Sequence, residues 1–297
     1  MRRRDFLTTV AAASLVPHAT VRAAAAPTAA AAAGQSKPST APPELLKLGV
    51  ASYSLRKFPF EQALEMAKQC DVRYINFKDV HIPRTDSPEA IKAARAKTEA
   101  AGFTIMGGGT ITWQGKGDTW EASDEAQVRK DFEYAKLAGM PLIVAAPSFK
   151  ALDTVEKVAK EFGIKVAIHN HGPEDKFFPS PYDVYKHIKG RDKIMGMCVD
   201  IGHTWRAGVD PTKAVLELRD RVYDLHVKDL RDLTNRDSQV IVGKGAIDFP
   251  ALFRALVKIG YQGHVGLEYE IDVDSPLPGM LQSFAYMKGV LAGIRQT

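Results

Sequence analysis

The chain is poor in several things, and each shortage removes a class of protein. It has two cysteines, Cys70 and Cys198. Two thiols cannot build a zinc ribbon, which needs four ligands at fixed spacing. Cys70 ends an expected helix and Cys198 sits mid-strand, two residues before Asp200. The two thiols therefore belong to different layers and are expected to be free. The apolar stretch 7–16 falls short of the roughly 20 residues that cross a bilayer. The segment SYSLRKF, which follows the first apolar run, has no glycine and so no phosphate loop of the dinucleotide-binding kind. A basic face is also missing. The formal charge is +5, but residues 1–43 hold Arg2, Arg3, Arg4, Arg22 and Lys37 against Asp5, leaving 35 basic and 34 acidic residues in the rest. A near-neutral domain without a basic stripe argues against a nucleic-acid partner.

What stands at the start is a signal. Arg3-Arg4-Asp5-Phe6-Leu7 fits the twin-arginine export pattern, and alanine-rich cleavage sites follow it. Residues 1–25 are expected to be a twin-arginine signal peptide and residues 26–44 a disordered Ala/Pro-rich linker. Residues 45–297 then form one domain of about 250 residues, the usual size of a (β/α)8 barrel. The expected location is periplasmic or otherwise exported by the twin-arginine route. That route carries folded proteins, so a cofactor can be loaded first.

From Leu46 onward, short apolar runs alternate with amphipathic segments. Strands are expected at 47–55, 74–80, 103–109, 141–147, 165–171, 196–200, 222–229 and 264–270. Ser87-Pro88 and Ser180-Pro181 read as helix starts, and Gly102, Gly139, Gly163 and Gly190 as helix stops. Strict alternation without hairpin signals predicts an α/β fold, a single (β/α)8 TIM barrel, over an open doubly wound sheet. Gly107-Gly108-Gly109 lacks phosphate-loop spacing and reads as a tight turn at the barrel mouth.

In such a barrel the chemistry sits at the carboxyl ends of the strands. Those ends carry His169 and His171 on the fifth strand, Asp200 on the sixth, His226 on the seventh and Glu268 on the eighth. The two histidines of VAIHNHG, two residues apart, point to the same face. Each group ends an apolar run where an unpaired charge is costly. One divalent cation shared by His169, Asp200, His226 and Glu268 turns four costly groups into ligands. The mixed imidazole/carboxylate set suits Mn, Co, Fe or Zn better than Ca. Lys78, His81, His203, Trp113, Trp120, Trp205 and Glu270 fall near the rim, where side chains bind substrate.

The runs H-N-H-G, C-V-D-I-G-H, L-H-V-K-D-L, G-K-G-A-I-D-F and Y-Q-G-H-V-G-L-E-Y-E resemble the sugar phosphate isomerase/epimerase family, the xylose isomerase-like barrels. The resemblance covers nearly all of residues 46–297. It implies one divalent metal held by Glu, Asp, His and Glu, of which Asp200, His226 and Glu268 match the last three. His169 stands where many relatives have the first glutamate, so a two-carboxylate proton shuttle is missing one member. The resemblance implies a sugar isomerase/epimerase acting on a keto-sugar through a metal-stabilised enediolate. Glu268 is the expected base, His203 a proton relay, and Lys228, on the face of His226, a stabiliser of oxyanion charge. His171, Lys78, His81, Trp113, Trp205 and Glu270 are the expected substrate contacts. The alternative outcome is a lyase or dehydratase that expels a β-substituent from a keto-sugar or 3-keto-glycoside; export favours it, because such substrates are met outside the cytoplasm. A non-catalytic sugar-binding barrel is the reading from another class. A nuclease like endonuclease IV is disfavoured: it needs three zinc ions, whereas the chain has eight histidines including His18 of the signal. The expected partners are a small-molecule sugar and, as related barrels often associate, further copies of the chain.

Overall fold

The computed structural model describes residues 44–116 and 119–296. The expected signal and the linker up to residue 43 lie outside the described residues. Eight parallel strands close into a barrel: β1 (Lys47–Ala51), β2 (Tyr74–Phe77), β3 (Thr104–Trp113), β4 (Leu142–Pro147), β5 (Lys165–His169), β6 (Met195–Asp200), β7 (Val222–Val227) and β10 (His264–Leu267). Neighbours around the barrel run β1-β10-β7-β6-β5-β4-β3-β2. The helices are α1 (Phe60–Gln69), α2 (Pro88–Ala100), α3 (Ala122–Leu137), α4 (Leu152–Phe162), α5 (Pro181–Ile188), α6 (Ile201–Arg206), α7 (Pro211–Glu217), α8 (Phe249–Lys258) and α9 (Leu277–Arg295).

The strands form where apolar residues follow one another without polar interruption. Every residue of β4 and β6 is buried, as expected of parallel strands covered on both faces. Leu142, Val144, Ala167 and Cys198 fill the inside of the barrel, while Ile75, Ile143, Val166 and Val199 join the core between sheet and helices. Each such aliphatic side chain contributes roughly 1.5–3 kcal/mol by leaving water. Several helix starts follow side-chain caps. Ser87 Oγ accepts from Ala90 N, and Ser180 and Asp183 form a reciprocal capping box. Gly163 ends α4 at φ +67°; α5 stops at Ile188 with Lys189 as its right-handed cap, and Gly190 follows without the left-handed φ that Gly102 and Gly139 take in the same place.

Four expectations need correction. Strands β1 and β2 are shorter than expected, because Ser52–Leu55 turn into a 3-10 helix and the chain leaves the sheet at Lys78. The glycine triplet lies inside β3, not in a turn. A Cβ on Gly107 would sit 2.8 Å from Leu142 O and one on Gly109 2.1 Å from Val144 O, so glycine lets β3 approach β4. Strict alternation breaks after β6, which is followed by both α6 and α7. The loop after β7 folds back as an antiparallel ribbon of β8 (Asp229–Leu230) and β9 (Gln239–Val240), a hairpin that no Asn-Gly signal announces.

Candidate metal centre

Alternation along each strand turns His169, Asp200, His226 and Glu268 to the inside at the carboxyl end of the barrel. One donor atom from each lies within 4.8 Å of the others, and none of the four is more than 7% exposed. His169 Nε2 stands 3.0 Å from His226 Nδ1 and 3.6 Å from Asp200 Oδ2. His226 Nδ1 stands 3.3 Å from Glu268 Oε1. Ligand atoms around one ion with bonds of about 2.0–2.2 Å stand roughly 3–3.5 Å apart, so the set fits a single divalent cation. Asp200 Oδ2 is buried and makes no hydrogen bond of good geometry, its neighbours being the Lys228 ammonium at 3.1 Å and His169 Nε2 at 3.6 Å, so it keeps lone-pair capacity for an ion. His169, Cys198 and His226 make a second grouping of suitable size. Burial and the nearby Asp224 and Asp200 carboxylates push the Cys198 thiol well up, so it stays protonated and is the poorer ligand.

The charges of the site hold one another in place. Burial pulls His169 well below the usual imidazole range, helped by His171 and His226, which keeps its lone pair available. Burial alone would raise Glu268, but Lys228 and His226 outweigh it and hold the carboxyl well below its ordinary value. Burial also opposes the charge on His226, yet Glu268 and Asp224 raise it overall. Lys228 Nζ lies 2.8 Å from Glu268 Oε2, 2.5 Å from Glu270 Oε2 and 3.1 Å from Asp200 Oδ2. Those carboxylates overcome its burial and keep it a cation. As the strand alternation requires, Asp229 faces away and accepts from Gly243 N and Gly245 N.

Glu268, the expected base, has Oε1 facing His226 and Oε2 held by Lys228, so both its oxygens are engaged. Two further histidines stand beside the ligand set. His171, its ring 4.2 Å from that of His169, lies 3.1 Å through Nδ1 from Asp175 Oδ2. Asp175 Oδ1 accepts from Phe177 N and Phe178 N, and although burial raises Asp175, His171 and these amides hold it down as a carboxylate. A carboxylate partner fixes the proton on Nδ1 and leaves Nε2 with a lone pair. His203 is the reverse. Arg206 Nη1 donates to its Nδ1 at 3.0 Å, and burial keeps the ring neutral, so Nε2 carries the proton. The two rings stand 6.0 Å apart.

Two clefts open on these groups. One, of about 340 Å³, is lined by Arg56, His203, Arg206, Lys228, Gln239 and Glu270, among others. The other, of about 320 Å³, is lined by Thr112, Gln114, Ala146, His171 and Asp175, and shares His203 and Arg236 with the first. A further cleft of about 420 Å³ lies at the opposite end, beside Leu46, Val72 and Lys288, away from every candidate ligand.

Other expected contacts move. His81 is buried with Nδ1 on Ser52 Oγ and Nε2 on Leu55 O, so both ring nitrogens are engaged in tying down the loop after β1. Trp113 turns outward, donating from Nε1 to Asp131 at 2.8 Å and stacking on Phe132, and Trp120 donates to Thr154. Trp205 packs against the core from α6 and lines neither cleft. Lys78 lies at the mouth with Nζ 5.1 Å over the Tyr53 ring. Asp175 and Arg206 were not singled out from sequence. The four-residue spacing of His171 and Asp175, and the three-residue spacing of His203 and Arg206, were the available signals.

The sequence pattern of the xylose isomerase-like TIM barrels matches residues 64–290. The chain belongs to that family. Within it, an inosose dehydratase of Klebsiella pneumoniae subsp. pneumoniae is 27% identical over 49% of this chain and 52% of its own length. The chain thus spans about half the length of the curated relatives it matches. Among structures, the IOLI protein with a bound zinc atom superposes with a TM-score of 0.71 at 15% identity, over 84% of this chain and 99% of that one. An L-ribulose 3-epimerase gives 0.69 at 15% identity, over 84% and 96%. At such identities these two show the barrel alone.

Proposed function

We propose that this barrel is a divalent-metal-dependent lyase of keto-sugars, which removes a proton beside a carbonyl and expels a β-oxygen substituent. The observation that carries the reading is the contrasting partners of His171 and His203, whose rings stand 6.0 Å apart: Nδ1 of His171 meets the Asp175 carboxylate and Nδ1 of His203 the Arg206 guanidinium, which assigns them as proton acceptor and proton donor. His169, Asp200, His226 and Glu268 would hold the metal, which would supply Lewis-acid polarisation of the substrate carbonyl. His171 Nε2 takes the α-proton, and Asp175 stabilises the imidazolium. The released electron pair forms the carbon–carbon double bond. Lys228 faces the negative charge that develops on the way. The β carbon–oxygen bond then breaks, and the leaving oxygen takes the proton from His203 Nε2. Water or an alcohol departs, leaving an enone.

Three facts support elimination over return of the proton. The fifth strand offers an imidazole, not the second carboxylate of a symmetrical shuttle. The paired clefts leave room for a departing group. A sequence relative is a dehydratase. Isomerase/epimerase action, the first expectation from sequence, shares the opening step. The Arg3-Arg4 signal supports export, where free keto-sugars and keto-glycosides are met.

The test is incubation of the metal-loaded protein with a panel of inososes and 3-keto-glycosides in D₂O. An enone with ultraviolet absorbance is expected. His171→Gln should abolish α-proton exchange, while His203→Gln should keep exchange and lose elimination. An epimer or isomer carrying deuterium would overturn the lyase assignment, and absence of exchange across the panel would overturn the proton-abstraction chemistry itself.

A further inference from the structure

Beneath the metal centre the barrel interior holds a polar group that packing does not call for. Asp224, on β7 two residues before His226, is fully buried. Its Oδ2 accepts from Asn76 Nδ2 on β2 at 2.8 Å, and its Oδ1 lies 3.4 Å from His264 Nδ1 on β10. Asn76 and His264 are 3% and 1% exposed. A carboxylate costs several kcal/mol to bury even when paired, and an aliphatic residue would fill the same space. The fold also clears room for the group behind it. A Cβ on Gly49 would come within 2.5 Å of His264 Nε2, and one on Gly266 within 2.6 Å of its Cε1.

The purpose is read from His226. Its Nδ1 faces His169 Nε2 at 3.0 Å and Glu268 Oε1 at 3.3 Å, so Nδ1 is the metal-facing atom. Its Nε2 points the other way and stands 3.8 Å from Asp224 Oδ2, longer than a hydrogen bond but within reach of the carboxylate's charge. We propose that Asp224 is the positioning residue of the metal site: it draws the proton of His226 to Nε2, leaves Nδ1 as the ligand atom, and is itself oriented by Asn76 with His264 behind it. A ligating imidazole gains orientation and basicity from such a partner, and its loss commonly weakens metal binding 10- to 100-fold. The inference rests on the metal-binding reading above.

The experiment measures zinc affinity of the purified full chain by competition with a chromophoric chelator, for wild type, Asp200→Ala, Asp224→Ala and Asp224→Asn. Asp224→Ala should bind zinc about 10- to 100-fold more weakly. Asp224→Asn keeps the shape and an acceptor oxygen, so it should recover part of the loss and remain available if the alanine variant fails to fold. Nitrogen-15 NMR of the zinc-loaded wild type should show His226 bound through Nδ1 with a proton on Nε2. Wild-type affinity in both Asp224 variants, or zinc on Nε2, would overturn the proposal. Failure of wild type itself to bind zinc would instead overturn the metal reading on which it stands.

Discussion

Lys228 is where stability and metal binding meet, and a Lys228→Met variant separates them. The ammonium lies within 3.1 Å of oxygens from Asp200, Glu268 and Glu270, and is 4% exposed. Removing one partner of a buried ionic group costs about 3–5 kcal/mol, because the charges left behind remain out of water. For a domain near 250 residues, about 1 kcal/mol moves the melting temperature by roughly 2–4 °C. The metal-free variant should therefore melt about 6–20 °C below metal-free wild type. A divalent cation shares Asp200 and Glu268 with Lys228, so it supplies part of the missing charge. At a metal concentration about 1,000 times the wild-type Kd, wild type gains roughly 4 kcal/mol, and the variant, whose carboxylates lack their lysine and so hold the ion more tightly, gains more. The gap between the two should narrow on saturation, while turnover is lost because the cation facing the developing negative charge is gone. The assay is paired melting with chelator and with excess Mn²⁺ or Zn²⁺. The same gap in both conditions would refute the shared-carboxylate argument, and no gap in the metal-free pair would refute the burial cost.

Asp200→Ala should abolish stoichiometric metal, read by elemental analysis, and cost about 1 kcal/mol more because Asp200 Oδ1 also caps α6 by accepting from His203 N. The metal-free protein should be most stable near pH 6.5. His169 has a lowered folded pKa, so its contribution falls away as pH drops below the unfolded value of about 6.5. His226 has a raised folded pKa, so its contribution is full below that value and is lost as pH rises through the folded one. Melting scans from pH 5 to 9 check this, and a monotonic curve would contradict it. Neither thiol should react with a thiol reagent until the chain unfolds, since burial pushes Cys70 up to about 12 and Cys198 also upward. Stoichiometric labelling of native protein would count against the packing described.

The barrel was legible because its signal is redundant: apolar runs such as PLIVAAP repeat between capped helices, and closure is the economical way to cover them. The ligand set was legible for the same kind of reason. A histidine or acidic residue at the end of a buried run is conspicuous on chemical grounds, and the strand period sends it inward. What stayed hidden depends on contacts between distant segments. His81 and Trp113 carry the residue types of a binding site, but which way each side chain turns is decided by Ser52 and Asp131. That Lys228, forty residues earlier, donates to the second oxygen of Glu268 is likewise invisible in the sequence. Asp224 drew no notice because an aspartate inside an apolar strand looks like an ordinary polar interruption. Only the crowding of Gly49 and Gly266 around His264 shows that space was made there.

The substitution on the fifth strand has an electrostatic consequence that bears on mechanism. With His169 and His226 neutral as ligands, Asp200, Glu268 and Glu270 contribute three negative charges against a divalent ion and Lys228. The loaded centre would then be neutral, where a carboxylate in place of His169 would leave it negative by one unit. A developing oxyanion about 4 Å from one additional unit of charge gains on the order of 4 kcal/mol at an effective dielectric near 20. That is worth at most about a thousandfold in rate if it is felt only in the transition state. The exchange weakens the grip on the metal, since an imidazole donates less than a carboxylate to a hard cation. A buried orienting carboxylate at Asp224 and a tightly paired Glu268 offset that loss without returning negative charge to the side where substrate binds. The strand-five histidine, the buried aspartate and the bridging lysine are thus parts of one arrangement, in which the substrate side carries one negative charge fewer and metal affinity is restored from beneath.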